Sequence, residues 1–248
     1  MTGDTTPVGS RRIPSLVALG GGHGLSATLR AGRIVAEEVT AVVTVADDGG
    51  SSGRLRRELG ILPPGDRGRA LGAPAPDDPE HARLTRLFQH RYGGTGALAG
   101  HAVGNLVFAG FWEMLGDPLE ALEAVGSILG VTGRVLPMSP VALDIAAEVG
   151  GLEADPRVVR TIIGQVAAAP PPGGGRGVGL IPADPPAADG VVEAIEGADI
   201  VVLGPGSWFT SVIPNTLVPE IAAALARTDA TKALALNLAP QPGETAVL

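Results

Sequence analysis

The chain has 248 residues, 45% apolar and 18% charged, which allows a sizeable core and argues against a disordered chain. Its net charge of -8 argues against a duplex nucleic-acid binder, and no run of eighteen apolar residues offers a membrane span. With no cysteine, disulfides, thiol catalysis and cysteine-bound zinc are excluded, a cytoplasmic location fits, and four histidines leave little for a multi-histidine metal site.

Residues 1–12 are polar and read as a loose tail without a signal sequence, so one α/β domain is expected over 13–248. Leu16 to Leu19 reads as a short buried strand, broken by Gly20, Gly21, Gly22, His23 and Gly24. Ser26 to Arg33 then has helical composition. A strand, a glycine turn and a helix leave backbone N–H groups free at a positive helix terminus, which favours phosphate. The spacing is not the dinucleotide fingerprint, because Leu25 stands where its last glycine is required, and no Gly-Lys-Ser/Thr follows. The same glycines also fit a plain strand-to-helix turn.

Val39 to Ala46 is a β-branched apolar run and reads as a second buried strand, closing a right-handed βαβ unit. Asp47 and Asp48 follow at its C-terminal end, where open α/β sheets bind ligands. They could hold a divalent cation or accept from hydroxyls, and Ser51 and Ser52 could cap the next helix, begun at Arg54 to Leu59. Asp66, after a two-proline loop, is either a third inward carboxylate or a helix cap. Residues 73–79 read as a linker, and Glu80 to Tyr92 as a helix.

The segment 100–105, Gly-His-Ala-Val-Gly-Asn, opens an apolar helix running to Leu115. If helical, His101 and Asn105 share a face; alternatively they are a solvated helix start. Asp117 and Pro118 mark a clean start for a helix over Leu119 to Leu129. Gly133 to Met138 reads as a strand, Val141 to Glu148 as another, and Arg157 to Ala168 as helix or strand. Pro170 to Gly179 reads as a low-complexity loop, and Leu180 to Pro182 as an edge strand. After a helix at Val191 to Glu196, the strand Asp199 to Leu203 leads into Gly204, Pro205 and Gly206. This is a second glycine loop, where Ser207, Thr210 and Ser211 bring hydroxyls and N–H groups to a helix start that suits phosphate or sugar. Ser207 also fits as a simple N-cap. A helix at Pro219 to Ala226 and a strand at Lys232 to Leu238 follow, with Asn237 near the strand's end.

Taken together, GGGHGLS, TVADDGGSSGRLR, LGILPPGD, GHAVGN, LGPGSWFTSVIPN and NLAPQPGET, in that order, resemble the YvcK proteins of the CofD-like group. The resemblance runs from about Leu16 to Thr245. It implies a Rossmann-like, mostly parallel α/β sheet flanked by helices. It also implies a cytoplasmic regulator that binds UDP-N-acetylglucosamine and acts in cell morphogenesis, wall synthesis and gluconeogenic growth. Homo-oligomers and cell-wall regulatory partners are implied with it. CofD itself is a magnesium-using transferase that moves a phospholactyl group onto a deazaflavin in F420 assembly, which is the alternative. Carried over, Gly21 to Gly24 and Gly206 to Ser211 would cradle the diphosphate, Gly204 would belong to the ligand site, and Asp47, Asp48, Asn105 and Asn215 would line the cleft. In the transferase alternative, Asp47, Asp48 and Asp66 would arrange a magnesium ion. No nucleophile can be assigned. The segment 67–74 departs from the family's apolar helix, and the family continues past the QPGET motif, so a C-terminal element is expected beyond this chain. The central expectation is that the two glycine turns meet over one crevice and grip one pyrophosphate.

Overall fold

The computed structural model describes residues 12–46, 49–72, 78–150, 158–164 and 175–239. Strand β1 (Ile13–Gly20) leads through helix α1 (Gly22–Val35) to β2 (Ala36–Val43). Helices α2 (Gly50–Leu59), α3 (Gly65–Gly72), α4 (Pro79–Gln89), α5 (Val103–Leu115) and α6 (Pro118–Ile128) precede β3 (Arg134–Pro137). Strands β4 (Asp144–Gly150), β5 (Val159–Ile163) and β6 (Gly175–Ile181) come next. Then follow α7 (Val191–Glu196), β7 (Ile200–Leu203), a π-helical turn at Trp208–Val212, α8 (Ile213–Thr216), α9 (Pro219–Arg227) and β8 (Thr231–Leu234).

One five-stranded sheet, ordered β3-β2-β1-β7-β8 and parallel throughout, forms the centre. Its inner strands are apolar on both faces because helices cover both. In β1, Leu16 and Ala18 join one core with Leu25 and Leu29 of α1. Val17 and Leu19 join the other, with Ile195 of α7 and Ile221 of α9. This is the mostly parallel, helix-flanked α/β sheet expected from sequence.

A second, antiparallel sheet of three strands, β5-β4-β6, was not foreseen. It corrects the loop expected over 170–179 at its far end: residues 175–179 lie in β6, paired to β4. Gly175, Gly177 and Gly179 hid that strand, because alternate glycines erase the apolar period. The segment ambiguous between helix and strand contains β5, and the expected edge strand at Leu180 is the end of β6. Arg56 of α2 ties this sheet to the helical layer, gripping the Asp144 carboxylate at 2.7 and 3.0 Å and donating to the Leu143 carbonyl at 3.0 Å. Among the described residues, no single helix is long and apolar enough to cross a membrane.

Candidate functional site

The strand order fixes where the site lies. β1 is followed on one side by β2 and on the other by β7, so the chain's direction of winding reverses between β1 and β7. Open α/β sheets form their crevice at that reversal, outside the C-terminal strand ends. Both glycine loops leave there, one from Gly20 and one from Leu203.

The loops touch. A Cβ on Gly24 would overlap the Pro205 carbonyl oxygen, and one on Gly21 would lie 3.2 Å from Ser211 Oγ. Thr28 of α1 donates its hydroxyl to the Gly204 carbonyl at 2.8 Å. The structure thus brings Gly21, Gly24, Gly204, Gly206 and Ser211 together; Gly206 stands where a Cβ would sit 3.9 Å from the Gly21 carbonyl oxygen.

The two loops differ in what they leave open. Helix α1 starts at Gly22, four residues earlier than composition suggested, and its N-cap Gly21 has no side chain to accept from the first turn. The N–H groups of Gly22, His23 and Gly24 therefore have no cap side chain to donate to, at the start of a helix of 14 residues. In the second loop the donors are already taken, within the loop or by Asn237. Gly206 N–H donates to Asn237 Oδ1, Thr210 N–H to Ser207 Oγ, and Ser211 N–H to the Ser207 carbonyl. Ser207 acts as the N-cap of the π-helical turn.

Asp66 is buried in the first turn of α3, its carboxylate 2.5 Å from where a Cβ on Gly21 would stand. Thr44, beside it at the head of β2, buries an Oγ1 without a hydrogen-bond partner. Asn215 does the same with Oδ1, while its Nδ2 donates to the Ser211 carbonyl at 2.8 Å. Asn215, expected to line the cleft, is fully buried behind the second loop. Asp47 and Asp48 lie outside the described residues, as do Gln241 to Thr245.

A cleft of about 300 Å³ opens beside the uncapped helix end. It is lined by His23, Ser26 and Arg30 of α1, Gly65 and Gly68 of α3, Phe88, Gln89 and Arg91 around the end of α4, and Ala102, Gly104 and Asn105 at the start of α5. Loop 204–211 is not part of this lining; it braces the first loop from behind. Gly104 is required where it stands, since a Cβ there would lie 2.9 Å from the Phe88 carbonyl oxygen.

The first turn of α2 sets the walls. Neither Ser51 nor Ser52 caps its own helix, as the sequence had suggested; Gly49 is the N-cap. Ser52 Oγ instead accepts from Gly65 N–H at 2.9 Å, fixing α3. Ser51 Oγ accepts from Asn105 Nδ2 at 2.9 Å and from Ala102 N–H at 3.4 Å, and lies 3.0 Å from His101 Nδ1. His101 precedes α5 rather than sharing its face with Asn105, yet both converge on Ser51. Burial, together with the Arg54 and Arg91 cations, holds the His101 imidazole below its ordinary pKa, against an opposing pull from Glu58. Sequence reading passed over Arg30, Arg91 and Gln89, which carry no local signal, and over Ser51 as an anchor; two serines after two glycines at a helix start were the available clue.

Residues 16–248 match the family described as 2-phospho-L-lactate transferase CofD. The chain is similar to a Mycobacterium tuberculosis protein named "Putative gluconeogenesis factor", 64% identical over 93% of this chain and 68% of the relative. A Bacillus subtilis protein named "Gluconeogenesis factor" is 38% identical over 94% of this chain and 70% of its own length. A crystal structure of a protein from Bacillus halodurans superposes with a TM-score of 0.84 at 39% identity, over 94% of this chain and 71% of that one.

Proposed function

Since this chain belongs to the YvcK family of the CofD-like superfamily and has a YvcK-type role, we propose that it binds UDP-N-acetylglucosamine in the cleft beside α1 and acts as a regulator without turnover. The observation that carries this reading is the start of α1, which has no N-cap side chain and lies beside a cleft lined by His23, Arg30, Arg91 and Asn105. A diphosphate fits that terminus. Three charge-assisted bonds at about 1.5 kcal/mol each supply roughly 4.5 of the roughly 8 kcal/mol a micromolar ligand needs. The arginines and Asn105 are placed to supply the remainder.

The described residues lining the cleft are cationic and neutral ones, Arg30, Arg91, Gln89 and Asn105 among them, which suits holding an anionic ligand. The regulated processes would be cell morphogenesis, wall synthesis and gluconeogenic growth, from the cytoplasm, through a homo-oligomer and cell-wall regulatory proteins.

The family description favours a second reading, a transferase that joins a phospholactyl group to a deazaflavin, with magnesium at Asp47, Asp48 and Asp66. Thermal-shift titration separates the two. UDP-N-acetylglucosamine at a hundred times its Kd should stabilise the fold by about 2.7 kcal/mol, and the deazaflavin should not. No shift with any UDP-sugar removes the first reading; product formed from the deazaflavin and an activated phospholactate installs the second.

A further inference from the structure

Asn105 is 4% exposed, and its amide has two different ends in two different settings. Nδ2 donates to Ser51 Oγ at 2.9 Å. Oδ1 lies 3.9 Å from the point where a Cβ on Gly68 would sit, and both residues line the cleft. The amide therefore presents an acceptor to the cleft only as long as Ser51 takes the donor end.

Whether Ser51 does so is decided by His101. The Ser51 oxygen already accepts from Asn105 Nδ2 and Ala102 N–H, so its own proton must go to His101 Nδ1, 3.0 Å away. That requires a neutral imidazole with its proton on Nε2. Were His101 protonated, Nδ1 would donate to Ser51, and the serine proton would need a new acceptor. Asn105 can supply one only by turning its amide over, which places NH2 in the cleft. Arg54 and Arg91 stand guard against that state. Arg54 donates to the Ala99 carbonyl at 2.6 Å and Arg91 to the Gly100 carbonyl at 2.8 Å, so both cations are held beside the imidazole; Glu58 of α2 opposes them.

We propose that Ser51 and His101 are positioning residues that set which end of the Asn105 amide faces the cleft, so that neutral His101 selects ligands bringing an N–H or O–H donor to that point. This rests on the cleft being the ligand site.

The test uses the full chain, UDP-N-acetylglucosamine as probe, and calorimetry from neutral to mildly acid pH. A pyrophosphate diester has no group titrating there. Ser51→Ala should weaken binding roughly tenfold, as expected for loss of one oriented hydrogen bond. His101→Ala should do likewise, and His101→Asn, which restores an acceptor at the Nδ1 position, should recover most of the loss. Wild-type affinity should fall on acidification relative to His101→Asn, a comparison in which every other group is shared. Melting temperatures exclude misfolded variants. Equal pH profiles for wild type and His101→Asn overturn the proposal. If the wild type binds no UDP-sugar, the proposed function fails, and nitrogen NMR of the unliganded protein still decides the positioning role. A neutral His101 protonated on Nδ1 overturns it, and one protonated on Nε2, with an Asn105 amide that responds to His101 titration, sustains it.

Discussion

Asn237 holds Gly206 by both of its backbone groups, accepting from the N–H at 3.1 Å and donating to the carbonyl at 2.9 Å. A side chain just past β8 thus closes the loop that follows β7. Gly206 has φ of +150°, which glycine tolerates and other residues resist, so this clamp fixes a conformation the sequence already favours.

Replacing Asn237 by alanine should cost about 1 kcal/mol in chemical denaturation, because both partners of Gly206 are lost but water reaches the half-buried site. A loss of order 3 kcal/mol would mean that the second loop collapses without its clamp. The variant should also bind UDP-N-acetylglucosamine more weakly, since the first loop rests on the second.

Gly24→Ala sets two effects against each other. Alanine inside a helix gains about 1 kcal/mol over glycine. Against that, the new methyl overlaps the Pro205 carbonyl, which is backbone and cannot swing aside. Overpacking of this kind costs about 1–3 kcal/mol, and the clash should win. The expected result is a net destabilisation in a denaturant series; a stabilised variant would show that the loops separate readily.

Arg30 lines the cleft from the exposed side of α1. Arg30→Gln should leave the melting temperature of the free protein unchanged and weaken UDP-N-acetylglucosamine roughly tenfold, about 1.4 kcal/mol. Wild-type affinity should also fall with added salt more steeply than that of the variant, since an exposed cation is screened. Parallel salt dependences would move the phosphate away from Arg30.

Acid should loosen the wall that carries Phe88 and Gln89. Asp78 caps α4, accepting from Glu80 N–H at 3.0 Å and His81 N–H at 3.1 Å. The His81 backbone bond chiefly, against an opposing effect of burial, lowers the Asp78 pKa, with the His81 ring and Glu80 N–H adding to the pull. A lowered folded-state value means the cap's contribution is complete above the ordinary carboxylate range and is lost as pH falls through the lowered value. Hydrogen exchange in the first turns of α4 should therefore accelerate in acid, and Asp78→Asn should lose that acid dependence. An unchanged profile in the variant would count against the charge of the cap.

Much of this was visible locally. The strands β1, β2, β3 and β7 are short apolar runs, and α6 and α9 begin with the prolines expected of helix starts. The family resemblance named the nucleotide-sugar reading and the loops that would carry it. What local pattern missed was β6, where alternate glycines leave no apolar period, and the work of Ser51, whose partners are 50 and 54 residues away.

By itself the sequence determined that two buried strands each end in a glycine turn before a helical segment, because strand burial and glycine conformation are written within a few neighbouring residues. Only the tertiary structure decided that β1 and β7, whose paired residues Val17 and Val201 are far apart in the chain, lie side by side and press their turns together. It also decided that the donors of the second turn are taken by Ser207 and Asn237, while the first turn has no cap side chain to take its own. Strand order and hydrogen-bond partners are settled by packing between distant segments, and no local period records which distant segment will arrive.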